Sequence, residues 1–240
     1  MKLIKHQRVS ASISDVDANL SVIGVFQVVQ DAVTETLGRL KMDNPTMRKQ
    51  YNAVWLFTRN RAKLFNSIPW GDEQFTVTAF VSSITHATLS VDVSIKNADG
   101  VLCAYSRVET CALDLTAMRI LRLQTIDAIH AVTVEKPEID MAFTKFDCSP
   151  TEQVDTVRVA STNIDMSRHT NNVEYIRFIL NTYTVKELHD KPIREMEIRY
   201  LSQSYENDVL TVYKQSCGDD KDVFLLKSSD KDTVKCEILF

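Results

Sequence analysis

The chain has 240 residues, 44% hydrophobic and 25% charged, which is ordinary for a soluble globular protein and long enough to bury a sizeable core. Its 28 Lys and Arg against 32 Asp and Glu leave a formal charge of −4, which argues against nucleic acid as the main partner, since phosphate binding usually brings a basic surplus. Five scattered glycines build no phosphate-cradling loop and so predict no nucleotide cofactor, while five dispersed cysteines without a C-x-x-C pair and five dispersed histidines predict reduced thiols and no metal site.

In chain order, Met1-Lys2-Leu3-Ile4-Lys5-His6 has no apolar signal core, and no window approaches a membrane span. The expected location is the cytoplasm, with no membrane contact. Ser14-Asp15-Val16-Asp17-Ala18-Asn19 then precedes a helical pattern carried by Val25, Val28 or Val29, Ala32 and Leu37, which stops at Gly38. Strand-like segments follow at Ala53–Leu64, Gln74–Ser82, Thr88–Lys96 and Leu102–Leu113. Turn chemistry at Pro69-Trp70-Gly71-Asp72 and Asn97-Ala98-Asp99-Gly100 separates them. Cys103 and Cys111 have no histidine near in sequence, which gives a cysteine nucleophile weak support. The stretch from about Val132 to Pro150, with Pro137 and mixed charges, reads as a linker.

A second half repeats the order. Thr162-Asn163-Ile164-Asp165-Met166-Ser167 leads to a helix expected from Asn171 to about Leu188, with Asn171 and Glu174 close to a capping box. Strands follow at Glu195–Ser202, Val209–Ser216, Val223–Lys227 and Val234–Phe240. One helix followed by consecutive hairpin strands is an α+β pattern, each antiparallel sheet wrapped around its own long helix. The expected domains are 1–131, a linker 132–150, and 151–240.

The segment from Asp165 to Tyr175 carries the chemistry. It sets a carboxylate and an imidazole four residues apart at a helix mouth, where unpaired N–H groups and the positive dipole end can stabilise an oxyanion. An imidazole can move protons near neutral pH, and a neighbouring carboxylate can orient it or activate water. A solvated Asp at a turn with a surface His is the plainer alternative. The first half offers Asp17 and Asn19 but lacks the histidine, with Ser21 at the corresponding place, so only the second half is equipped for chemistry. Trp55 lies in the strand-like run Trp55-Leu56-Phe57-Thr58-Arg59, where it packs a core or lines an apolar slot.

Ile164-Asp165-Met166-Ser167-Arg168-His169-Thr170-Asn171-Asn172-Val173-Glu174-Tyr175-Ile176 closely resembles the signature of the acyl-acyl carrier protein thioesterases. Val54-Trp55-Leu56-Phe57-Thr58-Arg59, Pro69-Trp70-Gly71-Asp72 and Ala112-Leu113-Asp114-Leu115-Thr116…Arg119 look like further landmarks of that family, in the same order. The resemblance implies a tandem (double) hot-dog whose two halves mimic a hot-dog dimer. It also implies hydrolysis of fatty acyl thioesters on acyl carrier protein in fatty acid biosynthesis, without a cofactor. Acyl-coenzyme A is a further candidate substrate, and a homodimer is compatible with the fold.

By the same resemblance Asp165 and His169 match the catalytic Asp and His. Ser167 stands where the family usually has Asn, and Gln203 where it has Glu. Ser204 stands where plant members have Cys. Ser167 and Gln203 would position by hydrogen bonding, Asn171 and Asn172 would bring oxyanion-binding N–H groups, and Trp55 would contact substrate. The acyl chain would enter a tunnel in the first half, between helix and sheet. Glu to Gln removes a charge, so Gln203 cannot be a general base. If that Glu orders water, its loss costs roughly ten- to ten-thousand-fold. The alternative expectation is therefore a weakened hot-dog that binds acyl thioesters or acyl carrier protein without efficient turnover.

Overall fold

The computed structural model describes residues 1–71, 73–146 and 149–240; Asp72 of the first expected turn and Cys148 lie outside them. The described residues form two compact units, Met1–Ala142 and Phe143–Phe240. The division falls inside the stretch expected to be a linker.

The N-terminal unit runs β1 (Lys2–Gln7), α1 (Val22–Arg39), α2 (Asn44–Tyr51), β2 (Ala53–Leu64), β3 (Phe75–Ile84), β4 (Thr88–Lys96), β5 (Leu102–Asp114) and the short β6 (Arg119–Ile120). Every pairing within it is antiparallel, in the order β1-β3-β4-β5-β2, with β6 on the end of β5. The C-terminal unit runs β7 (Glu152–Arg158), α3 (Asn172–Leu180), α4 (Val185–Asp190), β8 (Glu195–Tyr200), β9 (Val209–Ser216), β10 (Lys221–Ser228) and β11 (Lys231–Leu239). Its strands pair antiparallel in the order β7-β9-β10-β11-β8. Strand for strand, the two orders are the same. The fold is α+β, a tandem hot-dog.

Local sequence explains the first helix and its sheet. Ser21 caps α1, its hydroxyl accepting from Gly24 N–H, and Val25, Val28, Val29, Ala32, Val33 and Leu37 are buried along it. Alternate residues of the strands beneath (Val77, Ala79 and Val81 on β3, Val91, Val93 and Ile95 on β4) belong to the same hydrophobic core. Each Val, Leu or Ile among them contributes about 1.5–3 kcal/mol when fully buried.

The other face of this sheet holds a buried carboxylate. Asp92, fully buried, accepts from Ser82 Oγ (2.6 Å), Tyr105 Oη (2.5 Å), and Arg107 Nε and Nη2 (2.7 and 2.8 Å). Burial, then the carboxylate, push the Tyr105 phenol far above its ordinary pKa. This cluster anchors the stretch beyond 132, which has neither helix nor strand among its described residues up to 150. Glu138 N–H donates to Tyr105 Oη, Arg107 Nη1 donates to the Met141 carbonyl, and Glu135 N–H donates to the Val81 carbonyl.

Several expectations need correction. The helix expected from Asn171 to Leu188 is broken: α3 ends at Leu180 and α4 starts at Val185, under a capping box formed by Thr184 and Glu187. Between them Tyr183 packs its ring against Phe224 and Phe240 and donates to Asp222 Oδ2 at 2.5 Å. That anchorage competes with helix continuation. The first helix passes Gly38, and Lys41, at φ 58°, takes the left-handed conformation beyond its end. Helix α2 was not expected; Asp43 caps it and Pro45 stands in its first turn. The strands β2, β4 and β9 have the expected bounds, whereas β10 and β11 begin earlier. Among the described residues no helix is long and apolar enough to cross a membrane.

Gly24 is a site of close approach. A Cβ there would lie 2.4 Å from the Ile13 carbonyl oxygen, whereas one on Gly38 would meet nothing within 4 Å. Gly24→Ala is expected to lower the stability of the N-terminal unit by about 1–3 kcal/mol, the range for overpacking. Gly38→Ala is expected to raise it by about 0.4–1 kcal/mol. Urea denaturation of both variants checks the opposite signs.

Candidate active site

In the C-terminal unit the residues before α3 fold into a closed loop. Ile164 and Thr170 form a bridge across it; Asp165 N–H donates to the His169 carbonyl (3.1 Å) and Arg168 N–H to the Asp165 carbonyl (3.0 Å). Arg168 adopts φ 66°, which turns the chain back on itself. Asn171 then closes the loop, its N–H donating to the Asn163 carbonyl at 2.9 Å.

This loop gathers the acidic and amide groups. Asp165 Oδ1 accepts from Ser167 N–H at 2.8 Å, and Oδ2 accepts from Asn171 Nδ2 at 3.4 Å. The Asn171 Oδ1 caps α3 by accepting from Val173 N–H at 2.9 Å. One amide side chain thus joins the carboxylate to the positive end of the helix. The expected capping box is absent in form: Glu174 Oε2 accepts from Asn163 Nδ2 at 2.7 Å, so it steadies the loop from the side.

His169 is half-buried, and its Nδ1 lies 3.1 Å from the Thr170 carbonyl oxygen. A carbonyl only accepts, so Nδ1 carries a proton, and in the neutral ring Nε2 then holds the lone pair. Thr170 is itself fixed to the strand-exit loop after β8. Its N–H and Oγ1 both donate to the Ser204 carbonyl, at 2.9 and 3.1 Å.

The remaining expected residues are placed as follows. Ser167 is exposed and reaches Asp165 through its N–H. Gln203 is exposed beside Ser204, and its Oε1 accepts from Tyr205 Oη at 3.1 Å. Asn172 opens α3, and its carbonyl accepts from Tyr200 Oη at 3.4 Å. Trp55 belongs to the N-terminal unit. It is 6% exposed, belongs to the hydrophobic core of that unit, and its Nε1–H donates to the Met42 carbonyl at 2.7 Å. Trp70, by contrast, is 61% exposed.

The N-terminal unit contains the same loop, and it corrects the expected correspondence. Asp15 N–H donates to the Asn19 carbonyl, Ala18 N–H to the Asp15 carbonyl, and Ser21 N–H to the Ile13 carbonyl, while Ser14 and Leu20 form the bridge. Asp15, not Asp17, is therefore the counterpart of Asp165. Asn19, not Ser21, stands at the place of His169, and Ser21 matches the cap Asn171. Two aspartates at alternate positions made the two-residue slip invisible in the sequence. Asp15 Oδ1 accepts from both Asp17 and Asn19 N–H, so this carboxylate serves its own turn.

Other chemistry is not favoured. Burial pushes the Cys111 thiol up to about 11 and raises that of Cys103, the opposite of an activated nucleophile. Among the described residues no group of three or more His, Cys, Asp or Glu could hold a metal ion. The residues that the sequence left without a role are Thr170, Tyr175 and Ser204. All three are buried and mutually hydrogen-bonded. Their signal was polar groups on a helix stripe and strand end that must find partners.

Residues 149–239 match the family model of the acyl-ACP thioesterase C-terminal domain. The fold of the chain is shared at full length with solved structures. An acyl-ACP thioesterase from Bacteroides thetaiotaomicron is 17% identical, with a TM-score of 0.92 over 100% of this chain and 97% of that one. An oleoyl thioesterase (putative) from Lactobacillus plantarum is 17% identical, with a TM-score of 0.83 over 99% and 95%. A 12:0-ACP thioesterase from Umbellularia californica is 12% identical, also with a TM-score of 0.83, over 99% and 96%. Among curated proteins none matches the chain in sequence. The matched region carries Asp165, His169 and Asn171 on one closed loop at a helix start.

Asn171→Ala is expected to cost about 1 kcal/mol of stability in this domain through loss of the cap. Asn171→Ser, which copies Ser21, is expected to restore most of that loss while leaving Asp165 without its amide partner. Denaturant midpoints of the two variants separate the capping role from the contact to the carboxylate.

Proposed function

We propose that the protein hydrolyses fatty acyl thioesters of acyl carrier protein in the cytoplasm, releasing free fatty acid in fatty acid biosynthesis. The observation that carries this reading is the Asp165 carboxylate tethered by Asn171 to the start of α3, with His169 on the same loop and its Nε2 lone pair available. A thioester carbonyl approaching the first turn of α3 would meet the Asn172 N–H as charge develops on its oxygen. Asp165 takes a proton from the attacking water, and Nε2 of His169 accepts the water's other hydrogen bond and orients it. The carbon–sulfur bond breaks, and the proton held by Asp165 goes to the leaving thiolate. Products are the free acid and the carrier thiol. No cofactor enters these steps. Ser167 supports Asp165 by its N–H, and Gln203 lies on the neighbouring loop. The N-terminal unit, with Asn19 in place of an imidazole, is left to shape the acyl chain.

The test is incubation of the purified protein with acyl carrier protein thioesters and coenzyme A thioesters over a chain-length series. Free acid and thiol should appear in equal amounts. Asp165→Asn should lower kcat/KM by about a hundredfold or more, within the usual span of acid–base effects. A variant that kept the parent rate would remove Asp165 from the chemistry.

One observation favours a second reading, in which the protein binds acyl thioesters without efficient turnover. Gln203 is uncharged, exposed and engaged with Tyr205, and shares no hydrogen bond with Asp165 or His169 among the described residues. Saturable binding of acyl carrier protein thioesters without acid release supports it. So does turnover gained on combining Ser167→Asn with Gln203→Glu.

A further inference from the structure

We propose that Ser204 is a positioning residue for His169, acting through Thr170 and anchored by Tyr175. The effect on catalysis rests on the hydrolase reading above; the effect on the imidazole does not.

Thr170 Oγ1 lies 2.7 Å from Ser204 Oγ and 3.1 Å from the Ser204 carbonyl oxygen. Ser204 Oγ in turn lies 2.8 Å from Tyr175 Oη, and Ser204 N–H donates to Tyr175 Oη at 3.1 Å. The hydroxyls of Tyr175, Ser204 and Thr170 therefore form one continuous hydrogen-bonded chain. Thr170 and Ser204 are fully buried and Tyr175 is 2% exposed, so water does not compete. Burial raises the Tyr175 phenol's pKa, keeping it a donor. The product of this relay is a fixed Thr170 backbone, whose carbonyl holds the Nδ1 proton of His169.

The N-terminal unit shows that the fold itself does not require these hydroxyls. There the same backbone bond runs from Leu20 N–H to the Ile68 carbonyl at 2.8 Å. Leu20, Ile68 and Val25 stand at the places of Thr170, Ser204 and Tyr175, and all three are apolar. Asn19 stands where the imidazole is. Hydroxyls accompany the histidine, and apolar packing serves where it is missing.

The experiment reads the His169 ring nitrogens by two-dimensional ¹H–¹⁵N NMR, assigned by difference from His169→Gln, together with steady-state hydrolysis. The parent should show the Nδ1–H tautomer. Ser204→Ala and Thr170→Val should raise the Nε2–H tautomer to a comparable population and lower kcat on the order of tenfold, the lower end of what losing a group that orients a working histidine costs, with KM little changed. Ser204→Thr should restore both. Tyr175→Phe, which keeps the ring packing, should give a smaller shift in the same direction and supplies the test if Ser204→Ala fails to fold. An unchanged tautomer and kcat in folded Ser204→Ala or Tyr175→Phe would overturn the proposal while leaving the hydrolase reading intact. A tautomer shift in a protein that releases no acid would support the positioning role and sink the hydrolase reading.

Discussion

The hydrogen bond that closes each loop onto the start of its helix is the constraint on which the site depends. In one unit it runs from Ser21 N–H to the Ile13 carbonyl, and in the other from Asn171 N–H to the Asn163 carbonyl, at 2.9 Å in both. It makes the cap residue a shared vertex of loop and helix. Whatever stands six residues before the cap is then delivered to the positive end of the helix. In the N-terminal unit that is Asp15 and in the C-terminal unit Asp165. The fold supplies a carboxylate at this corner twice, by backbone alone.

Side chains decide what each corner can do. The cap Ser21 has no amide to reach Asp15, and its hydroxyl donates back to the Ile13 carbonyl. Asn171 is longer: its oxygen caps the helix while its nitrogen reaches Asp165. The helix approach differs too. Gly24 lets the first turn of α1 close onto Ile13, while at the matching place Glu174 bonds the side chain of Asn163. The same backbone plan therefore yields a tightly closed corner in one unit and, in the other, one lined with groups able to bond a ligand.

Much of this was legible from residue order. Alternation of apolar and polar residues over β2, β4 and β9 gave their bounds. The pairing of Asp165 with the helix start followed from the cap at Asn171. What escaped had tertiary causes. The interruption between α3 and α4 depends on Tyr183 reaching Asp222 on β10, a partner far along the chain. The slip between Asp15 and Asp17 could be resolved only by seeing which carboxylate accepts from the turn. Trp55 fits both a strand core and a ligand slot by pattern, and the Met42 carbonyl that holds its indole lies thirteen residues away, beyond the reach of strand periodicity.

The two corners also bear on why polar groups are buried in one of them. A buried hydroxyl contributes only about 0.5–1.5 kcal/mol net when fully bonded and costs about 1–3 kcal/mol when left without a partner. Apolar residues in the same backbone positions carry no such risk, and Leu20, Ile68 and Val25 show that the loop tolerates them. Retaining Thr170, Ser204 and Tyr175 beside His169 therefore exchanges a forgiving corner for one whose buried hydroxyls depend on one another for their hydrogen bonds. Such a network resists partial substitution, since removing one member strands the next. The benefit lies in orientation: the Thr170 carbonyl is held where it can keep the imidazole proton on Nδ1. An imidazole free to turn would divide its time between two tautomers, and only one of them offers a lone pair at Nε2.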